Sequence, residues 1–341
     1  MSVKIGLVGL GFMGMVHARI LKSLPNVELK AVCDIQPHRM EGRLQVVGNI
    51  DAGAKPLDLS GVRKYARFED LIADDDLDAI DIASPTFLHA PMAIAAMKAG
   101  RHCFCEKPMA RTSAQARVMV ATAAQTRRVL MIGQCLRFWP EYRLLKEMID
   151  SRRYGRCRSA HFRRTGATPL WSWDGWMPDS ERSGSCALDM HIHDADLVQW
   201  LFGVPAKVSA SGTVTRDGGV SHIVASYEYA KGPAVTAQGG WFEKGYPFVM
   251  SAMLDFEKAT VEYSSAQSPT VAVYTAKGRE TPTVPPGDAY EEELKYFAQR
   301  VLDGKKPKVS TPADSARAVA LVEAEVKAVK TGRSAAVKKT T

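Results

Sequence analysis

The sequence predicts an α/β chain in two halves: a doubly wound parallel sheet, then an α+β half built on a largely antiparallel sheet. Three observations predict it. Up to about residue 133, short apolar runs at 3–8, 28–33, 78–83, 102–105 and 129–133 alternate with helix-period segments near 12–24, 37–47, 88–99 and 112–127. That order is the mark of parallel strands joined by crossover helices. After a helix near 138–150 the pattern changes to strand-like runs at 156–164, 206–215, 220–230, 233–242, 248–256, 258–263 and 270–275, with one internal helix near 184–201. Turns such as Asp217-Gly218-Gly219 and Lys231-Gly232-Pro233 make those runs antiparallel neighbours. Finally, a glycine-rich segment joins the first apolar run to the first helix.

That segment is Gly9-Leu10-Gly11-Phe12-Met13-Gly14, led in by Ile5-Gly6-Leu7-Val8 and followed by Val16, Ile20, Leu21 and Leu24 at helical spacing. Gly9 permits a tight turn, Gly11 lets the backbone approach a pyrophosphate, and Gly14 allows close packing of helix on strand. The helix start offers its free N–H groups to the phosphates. A second apolar run, Leu29 to Cys33, ends at Asp34, about 20 residues past the last glycine, where a carboxylate suits the adenosine ribose hydroxyls and repels a 2′-phosphate. Gly9, Gly11, Phe12, Met13, Gly14 and Asp34 therefore form a dinucleotide site that favours NAD. Arg39 belongs with them as a partner for adenine, or for a 2′-phosphate if NADP is used.

The remaining elements follow in order. Residues 48–62, with Gly48, Gly53, Pro56 and Gly61, read as a surface loop. Two helices close the chain at 288–303 and 312–330, the second opened by Thr311 as N-cap and Pro312 at its first position. Residues 331–341 are small, polar and basic, and are expected to be a flexible tail. The domains are thus 1–133, 134–330 and the tail.

With 46% hydrophobic and 24% charged residues among 341, the composition is that of a globular enzyme, with no apolar run near the length needed to span a bilayer. No leader pattern is apparent, so a cytoplasmic location is expected. The six cysteines lie scattered in apolar runs, as reduced core thiols do; Cys103 and Cys105 have the wrong spacing for zinc and too short a separation for a disulfide. A net charge of +8 is spread along the chain without a nucleic-acid-binding motif, so no nucleic-acid or membrane partner is expected.

Two segments carry chemistry. Glu106-Lys107-Pro108 follows a predicted parallel strand at the carboxyl edge of the sheet, where a lysine ammonium can bond a substrate hydroxyl and stabilise a developing alkoxide. In Asp189-Met190-His191-Ile192-His193-Asp194-Ala195-Asp196, a continuous helix would stack Asp189 and His193 on one face, suiting a histidine base oriented by a carboxylate. On that helix Asp196 would reach the other imidazole nitrogen, while His191 points about 200° away. Because His-x-His diverges on a helix, no metal is expected.

Taken in order, Gly9 to Gly14, Ser84-Pro85-Thr86-Phe87-Leu88-His89, Glu106-Lys107-Pro108 and Asp189 to Asp196 resemble the glucose–fructose oxidoreductase, inositol dehydrogenase and rhizopine-catabolism (Gfo/Idh/MocA) family, nearly end to end. The resemblance implies an N-terminal Rossmann domain and a C-terminal domain with a large open sheet supporting homodimers or homotetramers. It also implies Lys107 on the reacting hydroxyl, His193 as acid/base, Asp189 assisting, and Ser84, Thr86, His89, Glu106 and Arg137 at the cofactor. Ser185-Cys186 and His191 stand where the family commonly has glycine, so the pocket is bulkier or more polar than the common pattern.

The expected activity is therefore hydride transfer between a secondary hydroxyl of a sugar or cyclitol and NAD, with Lys107 and His193 handling the proton. Aromatic and basic residues that suit a sugar ring are Trp171, Trp173, Trp176, Arg163, Arg164, Tyr246 and Tyr290, of which Arg164, Trp176 and Tyr290 are the candidate substrate contacts beside Lys107, Asp189 and His193. Alternatives are an NADPH-dependent keto-sugar reductase, a multistep enzyme that oxidises and re-reduces one sugar carbon, and a catalytically silent dinucleotide sensor.

Overall fold

Strand β1 (Val3–Val8) is an apolar run whose side chains are removed from water on both faces, and such runs need helices on either side. In the computed structural model, which describes residues 2–42, 48 and 56–337, it lies at the centre of a six-stranded sheet. The other strands are β2 (Val27–Cys33), β3 (Arg63–Tyr65), β4 (Ala79–Ile82), β5 (His102–Glu106) and β6 (Leu130–Gly133), in the order β3-β2-β1-β4-β5-β6 and all parallel. Helices α1 (Phe12–Ser23), α2 (Phe68–Ile72), α3 (Thr86–Lys98) and α4 (Ser113–Thr126) connect them. The strand order reverses between β1 and β4, so their carboxyl ends open the crevice in which α/β sheets bind ligands.

Three local expectations change. The short polar strand β3 and the five-residue α2 carry too few apolar residues to announce themselves. Of the expected helix 37–47, residues Pro37–Glu41 form a 3-10 turn closed by Gly42, and 43–47 lie outside the described residues. The loop at 48–62 is described at 48 and 56–62, where Leu57 and Leu59 are buried.

The second unit is built on nine strands: β7 (Cys157–Ala167), β8 (Lys207–Val214), β9 (Val220–Glu228), β10 (Ala234–Phe242), β11 (Val249–Phe256), β12 (Thr260–Ser264), β13 (Val271–Thr275), β14 (Gly278–Glu280) and β15 (Ala335–Ala336). Their order is β14-β13-β12-β11-β7-β10-β9-β8-β15, with β7 and β10 parallel and every other pair antiparallel. Along β9 buried Ile223, Ala225 and Tyr227 alternate with exposed Val224, Ser226 and Glu228, the signature of a sheet with one covered face. Helices α5 (Pro140–Asp150), α6 (Ser180–Ser183), α7 (Ser185–Asp189) and α8 (Ile192–Phe202) belong to this unit.

The single helix expected at 184–201 is thus two, α7 and α8. His193 N–H bonds Met190 O at 3.3 Å instead of the Asp189 carbonyl, so the regular register is broken at Met190-His191. The tail also differs from expectation: Ala335-Ala336 pairs with β8 as an edge strand, and residues 338–341 lie outside the described residues.

The last two helices are α9 (Ala289–Leu302) and α10 (Pro312–Thr331). Compactness divides the chain at Gln134/Cys135, near the expected boundary, but residues 171–176 and 290–316 belong to the first unit, so the second is not one continuous stretch. On α9, Phe297 meets the Phe104 ring edge-on at 5.5 Å, and Ser310 donates to the Ile132 carbonyl at 3.0 Å. Among the described residues no helix is long and apolar enough to cross a membrane.

Candidate active-site residues

In the first unit the expected dinucleotide residues gather at the carboxyl ends of β1, β2, β4 and β5. Gly9 has φ +89°, and a Cβ there would lie 2.6 Å from the Ala83 carbonyl oxygen. At Gly14 a Cβ would lie 1.7 Å from the Gly9 carbonyl oxygen, so the first turn of α1 is pressed onto the loop that precedes it. A Cβ on Gly11 would meet only Arg39 Nη1, at 3.6 Å, which places the arginine beside the loop. The N-terminus of α1 carries neither a side-chain cap nor an acidic first turn, leaving its N–H groups for an anion. Phe12 stacks edge-on against Trp171 at 5.8 Å.

Asp34 does more than end β2. Its Oδ2 accepts the Leu10 N–H at 2.7 Å and its Oδ1 the Gln36 N–H at 2.8 Å, so the carboxylate braces the glycine loop. Two hydroxyls nearby in sequence, Ser84 Oγ and Thr86 Oγ1, are buried without a hydrogen-bond partner among the described residues. Buried orphan hydroxyls, an uncapped helix start and an open cradle at Gly11 together fit a polar dinucleotide. His89, expected at the cofactor, is a cross-link: Nδ1 lies 2.7 Å from the Pro108 carbonyl and Nε2 2.8 Å from that of Ser84. Burial holds its pKa down against those two acceptors.

Lys107, half-buried, follows β5 directly. Its N–H donates to Glu106 Oε2 at 2.9 Å, and its peptide to Pro108 is cis. Burial opposes the Glu106 charge, but His17, Lys107 and His89 together keep that carboxyl below its usual range. Of the candidate sugar contacts, Trp176 and Tyr290, both half-exposed, belong to this unit.

The second unit holds the other candidates. Asp189 is buried at the end of α7, and His193 lies half-buried in the first turn of α8. The backbone register changes at Met190-His191, between Asp189 and His193. Asp196, expected on the imidazole, is engaged elsewhere: Arg137 Nε and Nη2 each donate to it at 2.8 Å, and Gln199 Nε2 at 3.0 Å. Arg137 thus directs this fork at Asp196. Arg164, expected on substrate, is buried with Nε 2.9 Å from Asp194 Oδ2 and Nη2 3.3 Å from Tyr142 Oη. The two aspartates that follow His193 therefore pin α8 to β7 and to the turn Cys135–Arg137. His191 is also buried, its Nε2 3.1 Å from Glu325 Oε2, and that carboxylate holds the ring's pKa up against burial. Arg163 donates to Tyr246 Oη at 2.6 Å, and Tyr246 stacks on Phe242.

Sequence reasoning missed His17, Asp81, Glu293 and Glu325. Asp81 was discoverable, since a carboxylate inside the apolar run Ala79-Ile80-Asp81-Ile82 needs a partner. None of the six cysteines is in a disulfide, and five of them are buried.

Residues 3–134 match the family model for the GFO/IDH/MocA oxidoreductases, described as an oxidoreductase family with an NAD-binding Rossmann fold, and residues 142–278 match the GFO/IDH/MocA C-terminal domain. An inositol 2-dehydrogenase of Salmonella paratyphi B is 28% identical over 98% of this chain and 96% of its own. A myo-inositol 2-dehydrogenase of Thermotoga maritima is 27% identical over 90% of this chain and 91% of its own. A levoglucosan dehydrogenase solved with NADH superposes with a TM-score of 0.85 at 20% identity, covering 100% of both chains, which speaks for the fold.

Proposed function

This chain belongs to the GFO/IDH/MocA oxidoreductases, enzymes with an NAD-binding Rossmann domain, and from that premise we propose that it oxidises a secondary hydroxyl of a sugar or cyclitol. The observation that carries the reading is Lys107, set by the Glu106 carboxylate at the carboxyl end of β5, on the edge of the sheet that also bears the glycine loop, Ser84 and Thr86. The relatives named inositol 2-dehydrogenase support the substrate class.

The glycine loop, the start of α1, Asp34, Ser84 and Thr86 would hold NAD, whose nicotinamide supplies the hydride acceptor. Lys107 binds the hydroxyl oxygen through its ammonium and stabilises the alkoxide as the C–H bond weakens. His193 takes the hydroxyl proton as general base, and Asp189 assists it. In the reverse direction the same groups return the proton to a ketone. Exposed Val224 on β9 and Met253 on β11 lie on the solvent side of the nine-stranded sheet, and we assign that side to a homodimer or homotetramer contact, checked by light scattering.

A spectrophotometric screen tests the activity: purified protein with NAD or NADP and a panel of inositols, aldoses, uronates and amino sugars, followed at the reduced-nicotinamide band. Turnover with one class identifies substrate and cofactor together. Silence across the panel with NAD still bound rejects the reading. Arg39 beside Gly11 favours a second reading for the cofactor, because its guanidinium is placed to meet a 2′-phosphate, and faster turnover with NADP establishes it.

A further inference from the structure

Three residues past the last loop glycine, α1 carries a histidine that hydride transfer does not use. His17 is fully buried, with Nδ1 3.0 Å from Asp81 Oδ2 on β4 and Nε2 3.1 Å from Glu106 Oε1 at the end of β5. Glu293, on α9, reaches the same place: one donor atom each of His17, Glu106 and Glu293 lie within 4.8 Å of one another. The Phe104 ring closes the space edge-on at 5.6 Å. The titratable groups facing the imidazole are thus Asp81, Glu106 and Glu293, with Lys107 and His89 acting on Glu106 from beyond the strand.

A neutral imidazole has one N–H and one lone pair, and a lone pair does not face a carboxylate oxygen at 3.1 Å. With carboxylate oxygens 3.0 and 3.1 Å from its opposite nitrogens, the ring is stabilised as an imidazolium. Burial works against that cation; Asp81 and Glu106 outweigh burial and hold the ring protonated well above its usual range. Asp81 is itself pushed up by burial, while Glu106 is kept low. The second oxygen of Glu106 then accepts the Lys107 N–H. A chain of polar contacts therefore runs from α1, whose start follows the dinucleotide loop, to the main chain of the lysine. His89 secures the other flank through the Pro108 carbonyl.

We propose that His17 is a positioning residue for Lys107: as a buried cation clamped between Asp81 and Glu106, it orients the carboxylate that fixes the lysine's main chain and so ties Lys107 to the dinucleotide-binding helix. This rests on the role given to Lys107 above. The three clustered donors also resemble a cation site, and the metal analysis below separates that reading from a buried imidazolium paired with Glu106 at 3.1 Å.

Three measurements on the full-length protein test it. In long-range proton–nitrogen spectra of histidine-labelled protein, the ring missing from H17Q stays protonated on both nitrogens from pH 6 to 8, and elemental analysis finds no stoichiometric divalent metal. A neutral ring, or a bound metal, overturns the proposal. In H17Q and H17N, NADH affinity by fluorescence stays within about threefold while kcat falls roughly ten- to hundredfold, the scale expected for a misplaced catalytic group. D81N, which loosens only the far side of the clamp, loses less in the same direction. Unchanged kcat, or equal losses of kcat, NADH affinity and melting temperature, overturn the positioning role. Finally, acylation of Lys107 by acetic anhydride, read by peptide mass spectrometry, changes at least about threefold in H17Q while surface lysines do not. That readout needs no substrate: failure of the substrate screen rejects the proposed activity, whereas an unchanged Lys107 acylation rate rejects the His17 clamp.

Discussion

Arg164 and Asp194 form a buried ion pair, Nε to Oδ2 at 2.9 Å, with side chains 2% and 0% exposed. Together with the Arg137–Asp196 fork it takes up the two aspartates that follow His193. Asp196, expected on the His193 imidazole, joins Asp194 in holding α8 in place. Removing one member leaves the other charged and buried, which costs far more than the pair contributes.

R164M is accordingly expected to destabilise the second unit by about 3–5 kcal/mol, and R164M/D194L to recover most of that loss. Urea unfolding of the two variants checks this; a single-variant loss below about 1 kcal/mol contradicts it.

K107A is expected to lower kcat by at least roughly a hundredfold, the cost of losing one preorganised group that stabilises a developing oxyanion. NADH affinity, from fluorescence titration, stays near the wild-type value. Normal turnover removes Lys107 from the reaction.

H193A is expected to lose the basic limb of the kcat/KM profile along with most of its rate, about 10²–10⁴-fold for a general base. A profile of unchanged shape at reduced rate assigns His193 to packing.

Asp34 binds the Leu10 and Gln36 N–H groups, so D34S loses charged hydrogen bonds within the glycine loop as well as any ribose contact. At about 1.5–3 kcal/mol for such bonds, NAD affinity should weaken roughly 10- to 150-fold. NADP should gain nothing comparable, because the loop it would use has lost its brace. A clean switch to NADP contradicts the bracing role.

The His17 clamp also carries a pH signature. Its folded-state pKa is raised, so its contribution to stability is complete below the unfolded value of about 6.5 and is lost as pH rises toward the folded value. The melting-temperature gap between wild type and H17Q should therefore be widest near pH 6 and narrow through the alkaline range. A gap that widens with pH has the wrong sign.

Most of the architecture was legible because periodicity reports burial locally. Apolar runs such as Ile80-Asp81-Ile82 and Cys103-Phe104-Cys105 are the strands of a sheet covered on both faces, and β9 shows the alternation of a sheet covered on one. What escaped was short or polar: β3 and α2 have too little apolar surface to leave a pattern, and β15 is two alanines held only by pairing with β8.

The sequence by itself determined the two halves, the glycine loop with Asp34 at the end of β2, Lys107 after β5, and the family to which those motifs belong. Each is a matter of local spacing, and local spacing survives in one dimension. Only the tertiary structure decided which charge meets which. Arg137 and Asp196 are 59 residues apart, Arg164 and Asp194 are 30, and His17 and Asp81 are 64. A buried ion must find its partner wherever the folded chain brings one within hydrogen-bond reach, because leaving it alone in the interior costs more than the fold can spare. His191 shows the same dependence, its ring buried against Glu325 from the far end of the chain, beside the change of register that divides the expected helix in two.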